Sequence, residues 1–265
     1  MKKLTIITGA SSGLGAEFAR QIYADLQETS DPQELWLIAR NRENLEEVAA
    51  ELTGKTVSVR VFNMDISASD GVHKVKTLLE VEEEAGEFTL DLLVNNAGFG
   101  TYGPFAETDI DREMQMIDLN CTTLTGICGI ALPYLARGSR IINTASLAAF
   151  IPLGNFAVYA ATKAFVLSFS VALSAELKDA GITVSALCPG SVSTNFANVA
   201  SNGKRKEVLH GKDPVKVVRH CLKASRKGKR IVLWAAKWKC TAFMSRFVSR
   251  YAGARWTYLF NKRPH

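Results

Sequence analysis

Short apolar runs rich in β-forming residues alternate with longer helical patterns along the chain, and this alternation restricts the fold more than any other feature. Strand, helix and strand repeated this often predict a doubly wound parallel sheet with helices on both faces. Most runs are continuously apolar, as expected for strands that are buried on both sides. The predicted strands are 4–8, 35–39, 57–62, 90–94, 140–145, 182–188 and a shorter one at 230–234, with helical patterns such as 42–52 and 72–84 between them. We therefore predict an α/β fold in a single domain, with ligands bound at the carboxyl ends of the strands.

The composition is that of a soluble globular protein, because 47% of the 265 residues are hydrophobic and 22% are charged. No uninterrupted apolar run approaches the ~18 residues of a spanning helix. The N-terminal MKKLTIITG indicates a first strand rather than a secretion signal. Five scattered cysteines lack the spacing of metal ligands, and so do the four histidines, His73, His210, His220 and His265. We expect reduced thiols, no metal and a cytoplasmic location.

The net charge of +6 conceals two regions of opposite sign. Residues 204–265 contain 18 Lys and Arg against two acids, whereas residues 1–203 contain 14 bases and 24 acids. The main body is therefore acidic, and the C-terminal region is strongly basic.

The first predicted strand leads directly into TGASSGLG, residues 8–15, whose glycines open a helix. Such glycines permit a tight turn and a close approach of the backbone to a pyrophosphate, which the helix N-terminus would hold with its unpaired N–H groups. The spacing G-x-x-x-G-x-G differs from the G-x-G-x-x-G form, and a simple strand-to-helix turn is the alternative. The candidate cofactor-binding residues of this turn are Gly9, Ser11, Ser12, Gly13, Leu14 and Gly15.

Further motifs follow in order: NNAG at 95–98, Asn120, Ser146, YAATK at 159–163 and PGSVST at 189–194. Together with TGASSGLG, this series resembles the short-chain dehydrogenase/reductase family over about residues 4–194. The resemblance implies a Rossmann-like fold, a nicotinamide cofactor, and reversible hydride transfer between that cofactor and a carbonyl or alcohol. It also implies that the segment 95–98, with Asn95, Ala97 and Gly98, lines the cofactor and braces the sheet.

The end of the second predicted strand, LWLIARNR, indicates which nicotinamide dinucleotide is preferred. NAD-binding folds usually have an acid here that binds the ribose 2′-hydroxyl, but this chain has Ala39 followed by Arg40. A guanidinium forms paired charge-assisted hydrogen bonds with a 2′-phosphate, so we predict NADP(H), with Arg42 as a solvated helix residue. By resemblance, Asp65 and Ile66 after the third strand contact the adenine, although Asp65 could instead cap the next helix.

Tyr159 precedes Lys163 by four residues in NFAVYAATKA, a run without any acid. On a helix the two side chains share one face. A free phenol has a pKa of about 10, and a nearby ammonium lowers that pKa, so the tyrosine can exchange a proton near neutral pH. A carboxylate beside the lysine would weaken this effect, so its absence fits the chemistry. Taken alone the pair is common at helix surfaces, and the accompanying motifs favour catalysis.

The resemblance assigns supporting roles to residues around this pair. Ser146, after the fifth predicted strand, would hold the substrate oxygen beside the phenol. Asn120, in mid-helix, would support a proton relay to Lys163, and a simple buried hydrogen bond is the alternative. The turn after the sixth strand would lie over the cofactor, and its candidate residues are Pro189, Gly190, Val192 and Thr194. Val192 and Thr194 would contact the nicotinamide carboxamide.

The substrate side of the sequence is less specific. The stretches 99–105 and 147–156 are rich in aromatic and aliphatic residues, which favours an apolar carbonyl or alcohol such as a steroid, an acyl chain or a ring ketone. Residues 195–225 would form a mobile lid and pocket wall. We expect a homodimer or homotetramer and no nucleic-acid partner.

Beyond a dinucleotide-binding catalytic domain assigned to 1–235, the segment 236–265 is predicted to be a basic amphipathic helix. Its predicted apolar face comprises Met244, Phe247, Tyr251, Ala254 and Tyr258, and its basic face Lys239, Arg246 and Arg250. This helix could dock on the acidic body or a second subunit, or lie on an anionic membrane surface. The whole chain is expected to be an NADP(H)-dependent reductase or dehydrogenase. The alternatives are a membrane-associated reductase of lipid intermediates and an NADP(H)-binding regulator without turnover.

Overall fold

The computed structural model describes residues 1–29, 31–54, 56–205 and 211–262, and within them seven parallel strands form one sheet in the order β3-β2-β1-β4-β5-β6-β7. The strands are β1 Lys2–Thr8, β2 Gln33–Ala39, β3 Val57–Asn63, β4 Phe88–Asn95, β5 Arg140–Thr144, β6 Thr183–Leu187 and β7 Ile231–Val232. The predicted Rossmann-like parallel sheet in a single domain is therefore confirmed. The strand order reverses between β1 and β4, and such a reversal opens a crevice for ligands at the carboxyl edge.

Helices cover both faces of the sheet. They are α1 Gly13–Leu26, α2 Arg42–Glu51, α3 Ala68–Ala85, α4 Ile110–Ile117, α5 Leu124–Ala131, α6 Ala157–Glu176, α7 Phe196–Ala200, α8 Pro214–Arg226, α9 Ala236–Met244 and α10 Arg250–Phe260. One apolar core lies under α1, α2 and α8, and contains Phe18 and Val217. A second core lies under α3, α5 and α6, and contains Leu79 and Val166. The residues of β2 are buried along its whole length, which explains its continuous apolar run.

Two helical runs of the described chain, Ile110–Tyr134 and Ala157–Glu176, are long and apolar enough to cross a membrane by length and composition. Both contain polar residues, so neither forms an uninterrupted apolar run. Their inner faces supply Ile127 and Val166 to the core against the sheet. Packing in this core accounts for the apolar character of both runs.

The C-terminal segment forms two helices, α9 and α10, instead of the single helix predicted over 236–265, and residues 263–265 lie outside the described part. The predicted single apolar face is therefore not formed, because Met244 belongs to α9 and Tyr251 to α10, with Phe247 between the two helices. The face that α10 buries contains Gly253 and Thr257. Thr257 Oγ1 accepts a hydrogen bond of 2.8 Å from the Gly154 backbone N–H, so close docking on this loop selects small residues.

Candidate active site

A cavity of about 800 Å³ lies at the carboxyl edge of the sheet, where the predicted site residues converge. Those that line it are Gly9, Ser11, Ser12, Gly13, Leu14, Arg40, Asp65, Ile66, Ala97, Gly98, Ser146, Tyr159, Lys163, Pro189, Gly190, Val192 and Thr194. Three predicted residues, Gly15, Asn95 and Asn120, stand behind the wall. Most of the candidates therefore share one space, although they come from seven separate segments of the chain.

The glycine turn between β1 and α1 forms one end of the cavity. Gly9 adopts a φ of +66°, which a residue with a side chain rarely accepts. Gly15 lies in α1 behind the turn, and a Cβ there would stand 1.9 Å from the Gly9 carbonyl oxygen. Helix and turn therefore approach each other as closely as backbone atoms allow, and Gly15 supports the wall without forming it.

Asn96, which the sequence analysis did not single out, holds the glycine turn in place. Its side-chain amide donates to the carbonyl oxygens of Thr8 at 3.3 Å and Gly9 at 3.2 Å. Asn96 also lines the cavity. Neighbouring side chains of a strand point to opposite faces, and this alternation was the available signal that Asn95 and Asn96 have different surroundings.

Asn95 lies inside the sheet instead of on the cavity wall. Its amide donates to Asn143 Oδ1 at 3.0 Å, joining β4 to β5, and the residue is only 3% exposed. The Thr8 hydroxyl oxygen accepts the backbone N–H groups of Asn96 and Ala97 at 3.0 and 3.1 Å. The bracing expected of segment 95–98 therefore comes from hydrogen bonds that tie β1, β4 and β5 together.

Arg40 and Asp65 face the same end of the cavity from the ends of β2 and β3. The Arg40 guanidinium lies 3.7 Å from the Asp65 carboxylate, with both side chains more than half exposed. Burial alone would raise the pKa of Asp65, but hydrogen bonds from Ser67 and the charge of Arg40 hold that pKa below its ordinary value. Arg42 pairs with Glu46 on α2, as a solvated helix residue would.

Lys163 lies at the centre of the site and is 4% exposed. Its ammonium donates to the Thr144 carbonyl oxygen at 2.8 Å and lies 5.7 Å from the centroid of the Tyr159 ring. Burial lowers the pKa of Lys163 to about 8, and the thiols of Cys121 and Cys188 partly oppose this shift. The lysine is thus a buried cation directly beside the phenol, as the four-residue spacing on α6 predicts.

Tyr159 is held among aromatic rings that define the other end of the cavity. Its ring stacks on Phe156 with centroids 4.1 Å apart and an angle of 19°. Phe196 of α7 lies tilted against Tyr159 at 5.3 Å, and Tyr102 against Phe156 at 4.8 Å. These contacts fix the plane of the phenol and surround it with apolar surface.

Ser146 ends the segment after β5 and is 8% exposed. Its oxygen accepts the backbone N–H of Ala148 at 3.1 Å, and its hydroxyl donates to the Pro189 carbonyl oxygen at 3.4 Å. The serine is therefore oriented by both the following turn and the segment after β6. Its hydroxyl lines the same cavity as Tyr159.

Trp238 of α9 is a further contributor that the sequence analysis missed. A Cβ on Gly190 would lie 2.4 Å from the Trp238 indole nitrogen, so the indole packs directly on the turn that lines the cavity. Trp238 is 5% exposed and belongs to the same core as Val192. The first C-terminal helix is thus part of the support of the site.

Asn120 lies in a π-helical turn, Asp118–Thr123, between α4 and α5. Such turns are rare and often mark functional sites. Its side chain exchanges two hydrogen bonds with the backbone of Phe99, at 3.1 and 3.0 Å, and donates to Thr162 Oγ1 at 3.1 Å. These bonds link the loop after β4 to α6 beside Lys163.

The predicted lid is described only in part. Residues 196–200 form α7, and Tyr102 binds its end through a 2.8 Å hydrogen bond from the Tyr102 N–H to the Ala200 carbonyl oxygen. Residues 206–210 of the lid, with His210, lie outside the described residues, as does His265. The described portion contributes Phe196, Ala197 and Val199 to the cavity.

This arrangement can carry acid–base chemistry next to an elongated ligand. A phenol, a buried ammonium and an oriented hydroxyl line the same cavity as an exposed guanidinium and a glycine turn. The fold and the site together define a nucleotide-dependent enzyme class, because this crevice of a doubly wound sheet binds dinucleotides.

Comparison with known proteins identifies the class. The family model described as short chain dehydrogenase matches residues 3–205. The chain is 34% identical over 212 residues to serine 3-dehydrogenase of Agrobacterium fabrum, covering 78% of each chain. It is 31% identical over 200 residues to the very-long-chain 3-oxoacyl-CoA reductase of Neurospora crassa, covering 73% of this chain and 57% of that one.

A solved structure is similar over nearly the whole fold. The short-chain dehydrogenase from Sphingobium yanoikuyae in complex with NADPH superposes with a TM-score of 0.76 at 27% identity, covering 92% of this chain and 94% of that one. The chain belongs to the short-chain dehydrogenase/reductase family of oxidoreductases.

Proposed function

We propose that this protein is an NADP(H)-dependent oxidoreductase that interconverts a carbonyl and a secondary alcohol of an apolar substrate. The observation that carries the proposal is the buried ammonium of Lys163 beside the Tyr159 phenol, in a cavity that Ser146 also lines. A buried charge is costly to maintain, and its position next to a proton-transferring group gives it a chemical use.

The nucleotide end of the cavity fits a phosphorylated dinucleotide. The turn with Gly9 and Ser11 would hold the pyrophosphate at the N-terminus of α1, and Arg40 would bind the 2′-phosphate. Asp65 and Ile66 would flank the adenine. The Sphingobium relative is described in complex with NADPH, which supports the same preference here. When bound, the nicotinamide supplies or accepts the hydride.

Tyr159 would move the proton at the substrate oxygen, as acid in reduction and as base in oxidation. The Lys163 ammonium favours the phenolate, which eases proton donation in reduction and keeps the base form available for oxidation. A lysine with a pKa of about 8 is mostly charged at pH 7, so this support is present near neutrality.

Ser146 would hold the substrate oxygen by donating its hydroxyl proton. In the described structure that proton is directed to the Pro189 carbonyl at 3.4 Å, a long hydrogen bond that a substrate oxygen can replace. Asn120 would support the relay by fixing Phe99 and Thr162 around Lys163. On the segment over the cofactor, Val192 and Thr194 would contact the carboxamide.

The aromatic end of the cavity favours an apolar substrate. Tyr102, Phe156 and Phe196 surround Tyr159 with ring surface, and Leu153 and Ile151 extend that surface. A ring ketone, a steroid or an acyl chain would bury comparable area there. The Neurospora relative, named as a reductase of very-long-chain 3-oxoacyl-CoA, is consistent with such a substrate. We place the enzyme in the cytoplasm as a homo-oligomer, in contact with membranes where its substrate is lipid-like.

An NADPH-consumption screen over steroids, quinones, acyl thioesters and sugar ketones tests the proposal. We expect oxidation of NADPH with at least one apolar carbonyl and little with sugar ketones. Tight binding of NADPH without its oxidation by any carbonyl would indicate a nucleotide-binding regulator instead of an enzyme. A clear preference for NADH would remove Arg40 from cofactor selection while leaving the reaction type intact.

A further inference from the structure

The C-terminal helices expose an unusual amount of apolar surface. Nine of the nineteen large apolar side chains exposed in the described residues lie within positions 243–260. They are Phe243, Met244, Phe247, Val248, Tyr251, Trp256, Tyr258, Leu259 and Phe260. Single exposed apolar residues are ordinary, but a concentration of this kind marks an interaction site.

Other residues of the two helices provide the buried contacts with the domain. The segment attaches through Trp238 and Ala242 of α9, each 5% exposed, and through Gly253 and Thr257 of α10. Outside these attachments stand two aromatic pairs. The Phe243 and Phe247 rings are 5.4 Å apart, and the Trp256 and Phe260 rings are 6.0 Å apart.

The charged side chains of residues 236–262, which include α9 and α10, are all positive. The six bases of this segment are Lys237, Lys239, Arg246, Arg250, Arg255 and Lys262, and it contains no acid. None of the ion pairs found among the described residues includes one of these bases. The acidic body therefore does not neutralise them through direct contacts within the described residues.

We propose that this C-terminal aromatic–basic surface, formed by the nine apolar side chains and six bases, binds anionic phospholipid bilayers. Aromatic residues settle at the headgroup level of a membrane, and adjacent bases are attracted to anionic lipids. A symmetric dimer through this surface would bring two equally charged patches together, since such an interface is self-complementary. Charge complementarity therefore disfavours a symmetric dimer through this surface and favours an anionic lipid surface.

The position of this surface also fits a membrane partner. Thr241 at α9 and Asn261 at the end of α10 line the active-site cavity. A bilayer held by the neighbouring aromatic rings would lie beside the cavity that has apolar walls. Binding itself does not depend on the proposed reductase activity, so the two proposals can fail separately.

Co-sedimentation of the full chain with extruded vesicles tests the proposal. Vesicles of phosphatidylcholine alone are compared with vesicles that contain phosphatidylserine, at low and high salt. We expect binding to the anionic vesicles, weakened by salt, and little binding to the neutral ones. Trp256, 59% exposed, supplies a native probe, and its emission should move to shorter wavelength on binding.

Two pairs of variants separate the apolar and electrostatic contributions. Phe243→Ser with Phe247→Ser should weaken vesicle binding by about tenfold or more, because two rings no longer enter the interface. Arg246→Gln with Arg250→Gln should weaken it about 30-fold, at roughly fivefold per base. The matched controls are Ile110→Ser with Met114→Ser on α4, and Lys223→Gln on α8 with Lys227→Gln directly after it, all exposed.

The controls should bind as the unchanged chain does, and circular dichroism shows whether each variant is folded. The arginine pair is exposed and outside every ion pair found, so it keeps the test decisive if the phenylalanine pair does not fold. Absence of binding by the unchanged chain, or equal loss in the controls, overturns the proposal. The proposal is also overturned if the unchanged chain is a dimer that does not bind vesicles and sedimentation equilibrium shows that the same variants dissociate this dimer.

Discussion

The two ends of the candidate active-site cavity differ in the structures that form their walls. At the nucleotide end, the walls are the glycine turn and the ends of β1, β2 and β4, held by hydrogen bonds such as Asn96 to Gly9 at 3.2 Å. At the substrate end, the walls are rings on loops and short helices, such as Tyr102, Phe156 and Phe196. The shape of the first end is determined by backbone geometry and hydrogen bonds, whereas the shape of the second is determined by side-chain packing.

This difference separates what is fixed from what can adapt. A turn without room for a methyl group at Gly15 admits one geometry. Rings on loops can repack around ligands of different shape, because loops tolerate rearrangement better than strand ends. Tyr159 and Lys163 lie at the boundary, on α6, whose inner face is anchored by Val166 in the core. The four predictions below test this division, beginning with the largest effect.

Replacing Tyr159 by Phe removes only the hydroxyl at the boundary of the two ends. We expect kcat to fall by about 10³-fold, the size of a general acid–base contribution, with NADPH affinity unchanged. Steady-state kinetics and a fluorescence titration of NADPH measure the two quantities. Tyr102→Phe, which removes a hydroxyl from the same cavity, should leave kcat within a few-fold. Comparable losses in both variants would contradict the assignment of the proton to Tyr159.

Gly15→Ala tests the rigidity of the nucleotide end. The added Cβ would meet the Gly9 carbonyl oxygen at 1.9 Å, so the turn or the helix must shift. We expect the free energy of unfolding to fall by about 3 kcal/mol, the scale of forced repacking. Gly129→Ala on α5 is the control, since nothing lies within 4 Å of its Cβ. It should be neutral or stabilise the helix by up to about 1 kcal/mol. Denaturant unfolding of both variants decides the matter.

Arg40→Asp tests charge recognition at the same end. We expect the affinity for NADPH to fall by about 10- to 100-fold, because a charge-assisted hydrogen bond is lost and a repelling carboxylate is added. The affinity for NADH should change little. Arg42→Asp, which reverses an exposed charge that pairs with Glu46, serves as the control. Titration calorimetry with both nucleotides would show an equal loss for each if Arg40 does not contact the 2′-phosphate.

Lys163→Met tests how much the buried charge between the two ends of the cavity destabilises the folded protein. Burial lowers the pKa of Lys163 from 10.5 to about 8, so below pH 8 the folded protein bears the full cost of the buried charge. That cost is on the order of 3 kcal/mol, and the lost bond to Thr144 offsets part of it. We expect the variant to be about 1–2 kcal/mol more stable than the unchanged chain at pH 7.

The difference in stability between the unchanged chain and Lys163→Met should depend on pH. Between pH 8 and 10.5 the unfolded chain binds more protons than the folded one, so the stability of the unchanged chain rises with pH relative to that of the variant. The advantage of Lys163→Met should therefore disappear across this range. Parallel denaturation curves that keep a constant difference from pH 7 to 10.5 would show that the lysine is not a buried cation in the cofactor-free protein.

The strands and most of the cavity-lining residues can be predicted from local patterns along the chain. All seven predicted strands are present, because continuous apolar runs report burial on both faces of a strand. The glycine turn and the pairing of Tyr159 with Lys163 also followed from local spacing, since a four-residue interval on a helix fixes which side chains share a face. Such features depend on neighbours along the chain and can therefore be predicted without knowledge of the fold.

The contacts between distant segments depend on the folded chain and could not be predicted from local patterns. The tertiary structure placed Asn96 at the glycine turn and Asn95 within the sheet, brought Trp238 onto Gly190, and divided the C-terminal segment into two helices that bury small residues and expose aromatic ones. Helical periodicity predicts that apolar faces are buried, but the loop at 151–155 accepts only a close backbone approach. The complementary surface, distant in sequence, therefore determined which face of the last helix lies inward.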